Sequence, residues 1–219
     1  MELRWFGHSF FELVINTDVQ KNVKVYFDPY SEEIGLTPPK NLSADIVLIS
    51  HQHYDHNNLD IFSQRGLVID TAGEYSCKGV DVRGIKTFHD TQNGTEKGVN
   101  IVFIVESEGL RMAHLGDLGH LLSESQMKEI DGVDILMVPV GGPASITGKD
   151  SVKVIRQIEP KLVIPMHYKI PGINFALADL ESFCSEIGVC PTEPTEKLNV
   201  KAGGLMGKEM EVVVMRRAG

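Results

Sequence analysis

Several signals that would have named a chemistry outright are missing from this chain. It has no G-x-S-x-G elbow, which disfavours a serine hydrolase. It has no G-x-G-x-x-G spacing and no P-loop lysine, and Gly141-Gly142-Pro143 reads most simply as a tight strand exit. Cysteine is scarce: Cys77, Cys184 and Cys190 are odd in number and lack C-x-x-C spacing, which predicts free thiols in a reducing cytoplasm. No apolar run approaches membrane-spanning length, so no membrane partner is expected. The start lacks a basic region followed by an apolar stretch, which argues against a signal peptide. There is no low-complexity segment and no solenoid repeat. Positive charge is also short, and the net charge of −9 argues mildly against a nucleic-acid partner.

What is present belongs to an ordinary soluble protein, 42% apolar and 23% charged, and 219 residues suffice for a sizeable core without staples. Nothing resembles a linker, so residues 1–219 read as one domain. Residues 3–6, 10–15 and 23–27, rich in aromatic and β-branched side chains, predict strands, and residues 31–43 predict a surface loop. Further strands are expected at 67–69, 85–88, 99–105, 110–114, 135–138, 162–164, 198–200 and 211–215. Helices are expected at 57–64, closed by Gly66; from the capping box Ser123/Gln126 to Ile130; from Thr147 to Ile158; and at 176–187, closed by Gly188. Residues 75–86 read as irregular. Early strands, a mixed middle and a strand–helix alternation fit two facing sheets with helices outside.

The chemistry concentrates after the apolar run 46–49, where Ser50 is followed by His51, His53, Asp55 and His56. Scattered histidines are usually surface or core residues, but three within six positions at the exit of a buried strand are not scattered. If that tip stays extended, His51, His53 and Asp55 share one side, and a turn after Asp55 brings His56 round. Neutral imidazoles with a carboxylate suit zinc, manganese or iron. His89, Asp117 and His167 also lie just after predicted strands and would gather at the same rim.

His51-x-His53-x-Asp55-His56, then His89, Asp117 and His167 in that order, resembles the metallo-β-lactamase superfamily. Gly7-His8-Ser9 and Asp28-Pro29 resemble its branch of metal-dependent hydrolases related to ascorbate-phosphate lactonase and N-acyl phosphatidylethanolamine phospholipase D. The resemblance implies a four-layer αββα sandwich, a cytoplasmic hydrolase and a small-molecule substrate. It implies two divalent cations, zinc first, with manganese or iron as alternatives. His51, His53 and His89 would hold one cation, Asp55, His56 and His167 the other, and Asp117 would bridge them. Two cations ~3.5–4 Å apart can share a hydroxide that attacks an ester, lactone or phosphoester centre. Asp55 would also accept its proton.

Other residues read two ways. Asp28 orients a ligand histidine, or simply ends a strand before Pro29. His8 donates to a substrate oxygen, or is a hydrogen-bonded histidine between two strands. His114 reads as a satisfied core histidine, His120 as a surface residue and Tyr168 as packing. Two rivals stay open: an iron-dependent oxygenase acting on sulfur compounds, which shares H-x-H-x-D-H, and a non-catalytic binding scaffold of the same fold. Self-association also stays open.

Overall fold

A computed structural model describes residues 1–191, 193–207 and 209–219. The chain opens with β1 (Glu2–Gly7), β2 (Phe10–Ile15), β3 (Val23–Phe27), β4 (Leu42–Leu48) and β5 (Phe62–Ile69). There follow β6 (Gly73–Cys77), β7 (Val80–Phe88), β8 (Val99–Ser107) and β9 (Leu110–His114). Helices then alternate with strands: α1 (Glu124–Ile130), β10 (Ile135–Pro139), α2 (Gly148–Ile158), β11 (Leu162–Met166) and α3 (Leu180–Ile187). Short β12 (Leu198–Asn199) and β13 (Glu211–Val212) close the chain. One sheet has the order β12-β1-β2-β3-β4-β5, the other β13-β11-β10-β9-β8-β7-β6.

The strand period of two builds two cores. In β3, Val23, Val25 and Phe27 face the core between the sheets, while Tyr26 joins Phe6, Phe10 and Tyr30 on the outer face of the first sheet. That outer face is covered by Ile34 and Leu36 from the loop after β3, which carries one 3-10 turn (Glu32–Ile34), and by Ile173. On the second sheet the cover is helical: α2 buries Val152, Val154 and Ile155, and packs on β10 and α3. The expected caps form at Ser123/Gln126 and at Thr147, while α3 starts at Leu180 behind an Asp179 cap, four residues later than expected.

Four local expectations need correction. The helix expected at 57–64 is a single 3-10 turn, Leu59–Ile61, and β5 runs on through Gly66. A Cβ at Gly66 would lie 2.3 Å from the Asp45 carbonyl, so this glycine permits close strand approach instead of ending a helix. Residues 75–86 are an ordered hairpin of β6 and β7, turned by Lys78 and Gly79, both at positive φ. A lysine in that position hid the turn signal that Asn or Asp would have given. The tip after β4 is not extended either: residues 51–56 are bends and turns, with His56 N–H donating to the His53 carbonyl at 3.0 Å. Finally, Cys184 and Cys190 form a disulfide, and only Cys77 is free among the described residues. The left-handed cap at Gly188 turns the chain back so that the two Cα atoms lie 5.3 Å apart, a proximity that spacing alone does not reveal. Among the described residues, no helix is long and apolar enough to cross a membrane.

Strand direction places the chemistry. β1 and β3 are each antiparallel to β2, and β4 is parallel to β3. β7 and β9 are each antiparallel to β8, and β9, β10 and β11 run parallel. The carboxyl ends of β1, β3 and β4 therefore share a rim in the first sheet, as do those of β7, β9, β10 and β11 in the second. A hydrogen bond from His167 N–H to the His8 carbonyl, 3.1 Å, ties the two rims together.

Candidate metal centre

Six of the strands that end at that rim deliver a side chain shortly beyond their ends: His8 from β1, Asp28 from β3, His51 from β4, His89 from β7, Asp117 from β9 and His167 from β11. The turns after β4 divide their side chains between two groups. His51, His53 and His89 form one, with donor atoms within 4.8 Å of one another. His8, Asp55, His56 and His167 form the other by the same measure, and His51, His56 and Asp117 overlap both. Asp117 Oδ2 lies 3.2 Å from His89 Nε2 and 3.1 Å from His167 Nε2, and its Oδ1 lies 3.4 Å from His56 Nε2. One carboxylate thus reaches residues of both groups. Every expected ligand position is brought to this one place, and His8 joins it.

Neighbouring groups fix which imidazole nitrogen faces inward. Asp28 accepts from Ser50 N–H at 2.7 Å and from the Ser50 hydroxyl at 2.6 Å. It also accepts a hydrogen bond from His56 Nδ1 at 2.9 Å. With its own proton committed to Asp28, the Ser50 oxygen accepts from His51 Nδ1 at 2.9 Å. With Nδ1 committed, Nε2 is the nitrogen each histidine turns into the centre, the one a cation would take once it is unprotonated. Burial opposes a proton on His56, yet Asp117, Asp55 and Asp28 outweigh it and raise this imidazole well above its ordinary value in the metal-free chain. Asp28 serves as the orienting group, acting on His56 directly and on His51 through Ser50. Ser50 was missed in the sequence: a serine after a strand carries no signal until the carboxylate beside it is known.

The ligand set fits divalent cations on the structure's own terms. His51 Nε2, Asp117 Oδ1 and both ring nitrogens of His167 are buried without a well-aligned hydrogen bond, although His167 Nε2 lies 3.1 Å from Asp117 Oδ2. Buried polar atoms are ordinarily paired, so a cluster of orphans calls for an unseen charge. Asp28, Asp55 and Asp117 bring three carboxylates into one largely buried volume, and cations at its centre would balance them. The nitrogen-rich donor set suits zinc, with manganese or iron as alternatives.

The backbone is bent to make this possible. Gly116 sits at φ 54°, and a Cβ there would come within 2.4 Å of Asn100 Oδ1 and 2.5 Å of Ser50 Cβ. Asn100, fully buried, accepts from Asp117 N–H at 2.9 Å and donates to Thr87 Oγ1 and the Leu115 carbonyl. It holds the Asp117 turn in place and was also missed, since a lone asparagine in a strand announces nothing. His8 and His167 are both left-handed, with φ of 54°. Such strain in non-glycine residues persists only where the surroundings enforce it.

Electrostatics follow from burial and crowding. Burial pushes the His8 imidazole down to about 4, and His167 beside it adds to the effect. Burial also drives His51 well below its ordinary value, with His56 contributing. For Asp117 burial works against ionisation, yet His167 and His56 outweigh it and hold the carboxyl well below the usual range. For Asp55 burial again opposes ionisation, and His56 and His8 overcome it.

The remaining histidines stand outside the donor groups. His114 is fully buried, linked to the Ser9 carbonyl at 3.0 Å and accepting from Gly116 N–H at 3.1 Å, as expected of a satisfied core residue. His120 accepts from Phe88 N–H at 3.1 Å and is partly buried, so it caps the end of β7 instead of lying free on the surface. Tyr168 packs on Trp5 with ring centroids 5.4 Å apart. Two clefts flank the first group, one of about 450 Å³ that includes His89 and one of about 350 Å³ that includes His51 and His53, and Lys97 borders both.

Comparison with known proteins agrees with this geometry. The family model described as a beta-lactamase superfamily domain matches residues 2–167. A UPF0173 metal-dependent hydrolase of Staphylothermus marinus is 28% identical over 92% of this chain and 96% of its own. A solved structure from Thermotoga maritima, a candidate Zn-dependent hydrolase of the metallo-beta-lactamase superfamily, is 34% identical with a TM-score of 0.76, covering 98% of this chain and 97% of that one. A metallo hydrolase from Ignicoccus hospitalis shares the fold at 21% identity, with a TM-score of 0.66 over 100% of this chain and 96% of its own. With the family model spanning most of its length, two large sheets of mixed α/β topology and a histidine–aspartate cluster at the family's motif, the chain belongs to the metallo-β-lactamase superfamily.

Proposed function

We propose that this protein is a metal-dependent hydrolase that holds two divalent cations, zinc first, and cleaves an ester, lactone or phosphoester of a small molecule. The observation that carries the reading is the convergence of His51, His53 and His89 beside Asp55, His56 and His167, with Asp117 in reach of both sets. Bound there, two cations supply a nucleophile from water near neutral pH and polarise the substrate oxygen.

The chain's own residues do the rest. Asp117 links the two donor groups, and its negative charge offsets the repulsion a pair of cations would feel. Asp28 and Ser50 lock His56 and His51 in the tautomer that binds. The Asp55 carboxylate would orient the attacking water and take its proton. His53 is exposed while His56 and His167 are fully buried, so substrate enters from the His53 side, along the two clefts that Lys97 borders.

The test is a panel of chromogenic esters, lactones and bis-phosphodiesters run with zinc, manganese and iron, with oxygen uptake recorded alongside. Hydrolysis of one substrate class, lost in His53→Ala, supports the reading. Oxygen consumption with stoichiometric iron would replace it with an oxygenase, and equal turnover in His53→Ala would show that the activity came from a contaminant.

A further inference from the structure

His8 stands outside the motif positions from which the two ligand sets were drawn, yet it lies inside the second donor group. Its Nε2 is 3.2 Å from Asp55 Oδ2 and 3.2 Å from His56 Nε2, while those two atoms are 3.6 Å apart. A single proton on His8 Nε2 could satisfy one of these neighbours but not both. His56 donates a hydrogen bond from Nδ1 to Asp28, so Nε2 is the nitrogen it turns to the same point. Donor atoms about 2.0–2.1 Å from a shared cation lie roughly 3.0–3.6 Å apart, which is the spacing of all three sides of this triangle.

The ring is held there firmly. The His8 carbonyl accepts from Trp5 Nε1 at 3.0 Å and from His167 N–H at 3.1 Å, which fixes a left-handed residue in the turn between β1 and β2. The ring packs against His167 with centroids 4.2 Å apart and meets Phe175 edge-on at 5.6 Å, and the residue is fully buried. A donor to substrate would need a face towards the open cleft, and His8 offers none.

We propose that His8 is a protein ligand of the inner divalent cation, donating through Nε2 beside Asp55, His56 and His167. The two sites are then unequal. The outer one, at His51, His53 and His89, opens to solvent through His53 and keeps a free position for substrate. The inner one is closed by protein and holds its ion more tightly. This inference rests on the two-cation reading above.

Two experiments test it. In cadmium-loaded wild-type protein with labelled histidine ring nitrogens, His8 Nε2 should show scalar coupling to the metal and no attached proton. An attached proton without coupling would overturn the proposal. Zinc titration against a competing chelator should then show two unequal sites in the wild type. His8→Ala should weaken the tighter site on the order of 100-fold or more, whereas His53→Ala weakens the other. Two cations held with wild-type affinity by His8→Ala would sink the ligand role and leave the hydrolase reading standing. A wild-type chain that binds no cation would sink both.

Discussion

The same strands meet solvent at both ends of the sandwich, and the two ends differ in how their charges are settled. At the amino-terminal ends of β7, β9 and β10 lies a cavity of about 610 Å³ with Asp18, Asp81, Glu106, Glu108 and Asp134 along its walls. Three of these five acids are paired: Glu108 with the terminal amine at 2.9 Å, Glu106 with Arg111 at 3.1 Å and Asp134 with Lys161 at 2.7 Å. The opposite end has smaller clefts but a buried cluster of carboxylates and imidazoles with orphaned donor atoms. Unsettled charge in a dry place, and not the size of a hollow, marks the end where chemistry occurs.

That contrast can be broken by making one chemical change at both ends. Asp117→Asn should lose a cation and lower hydrolysis roughly a thousandfold or more, read as metal content and turnover. Gly116→Ala at the same rim should cost roughly 2–4 kcal/mol of folding stability by denaturant titration, because its Cβ has no room beside Asn100 and Ser50. Asp28→Asn keeps the volume but weakens the hold on His56 and Ser50, and should reduce metal affinity about 10–100-fold.

A smaller effect concerns the loop beside His89. Asp90 accepts backbone N–H groups from Lys97 at 2.8 Å, Gly94 at 2.8 Å, Gln92 at 2.7 Å and Glu96 at 3.1 Å. These bonds, that from Lys97 foremost, hold its carboxyl down at about 2. A depressed carboxyl contributes order that is fully present above its ordinary value of ~3.9 and is lost as pH falls through about 2. The Asp90 carboxyl carbon in metal-free protein should therefore titrate near the lower value, and a midpoint near the ordinary one would show the loop to be loose. At the far end, Glu108→Gln should change stability by under ~1 kcal/mol and leave turnover alone, as expected of a paired and accessible acid. A large loss of turnover there would undo the contrast between the ends.

The candidate centre was legible in the sequence because the residues proposed to hold it follow strand ends, where a short polar run interrupts apolar residues in a readable way. The supporting residues were not. Ser50 and Asn100 act through geometry that exists only once β3, β4, β8 and β9 are side by side. The succession of strands and helices was inferable in outline, but the start of β5 misread as helix because its residues 63–65 are polar and exposed, much like the outer face of a helix. The Cys184–Cys190 bond likewise depended on a turn at Gly188 whose consequence only the folded chain displays.

The central claim is that strand ends from both sheets cage a pair of cations. Anomalous scattering from crystals grown with zinc would test it most directly. The account predicts two peaks, one among His51, His53 and His89 and one among His8, Asp55, His56 and His167, with Asp117 between them. A single peak elsewhere, or none at this rim in crystals that carry zinc, would contradict it.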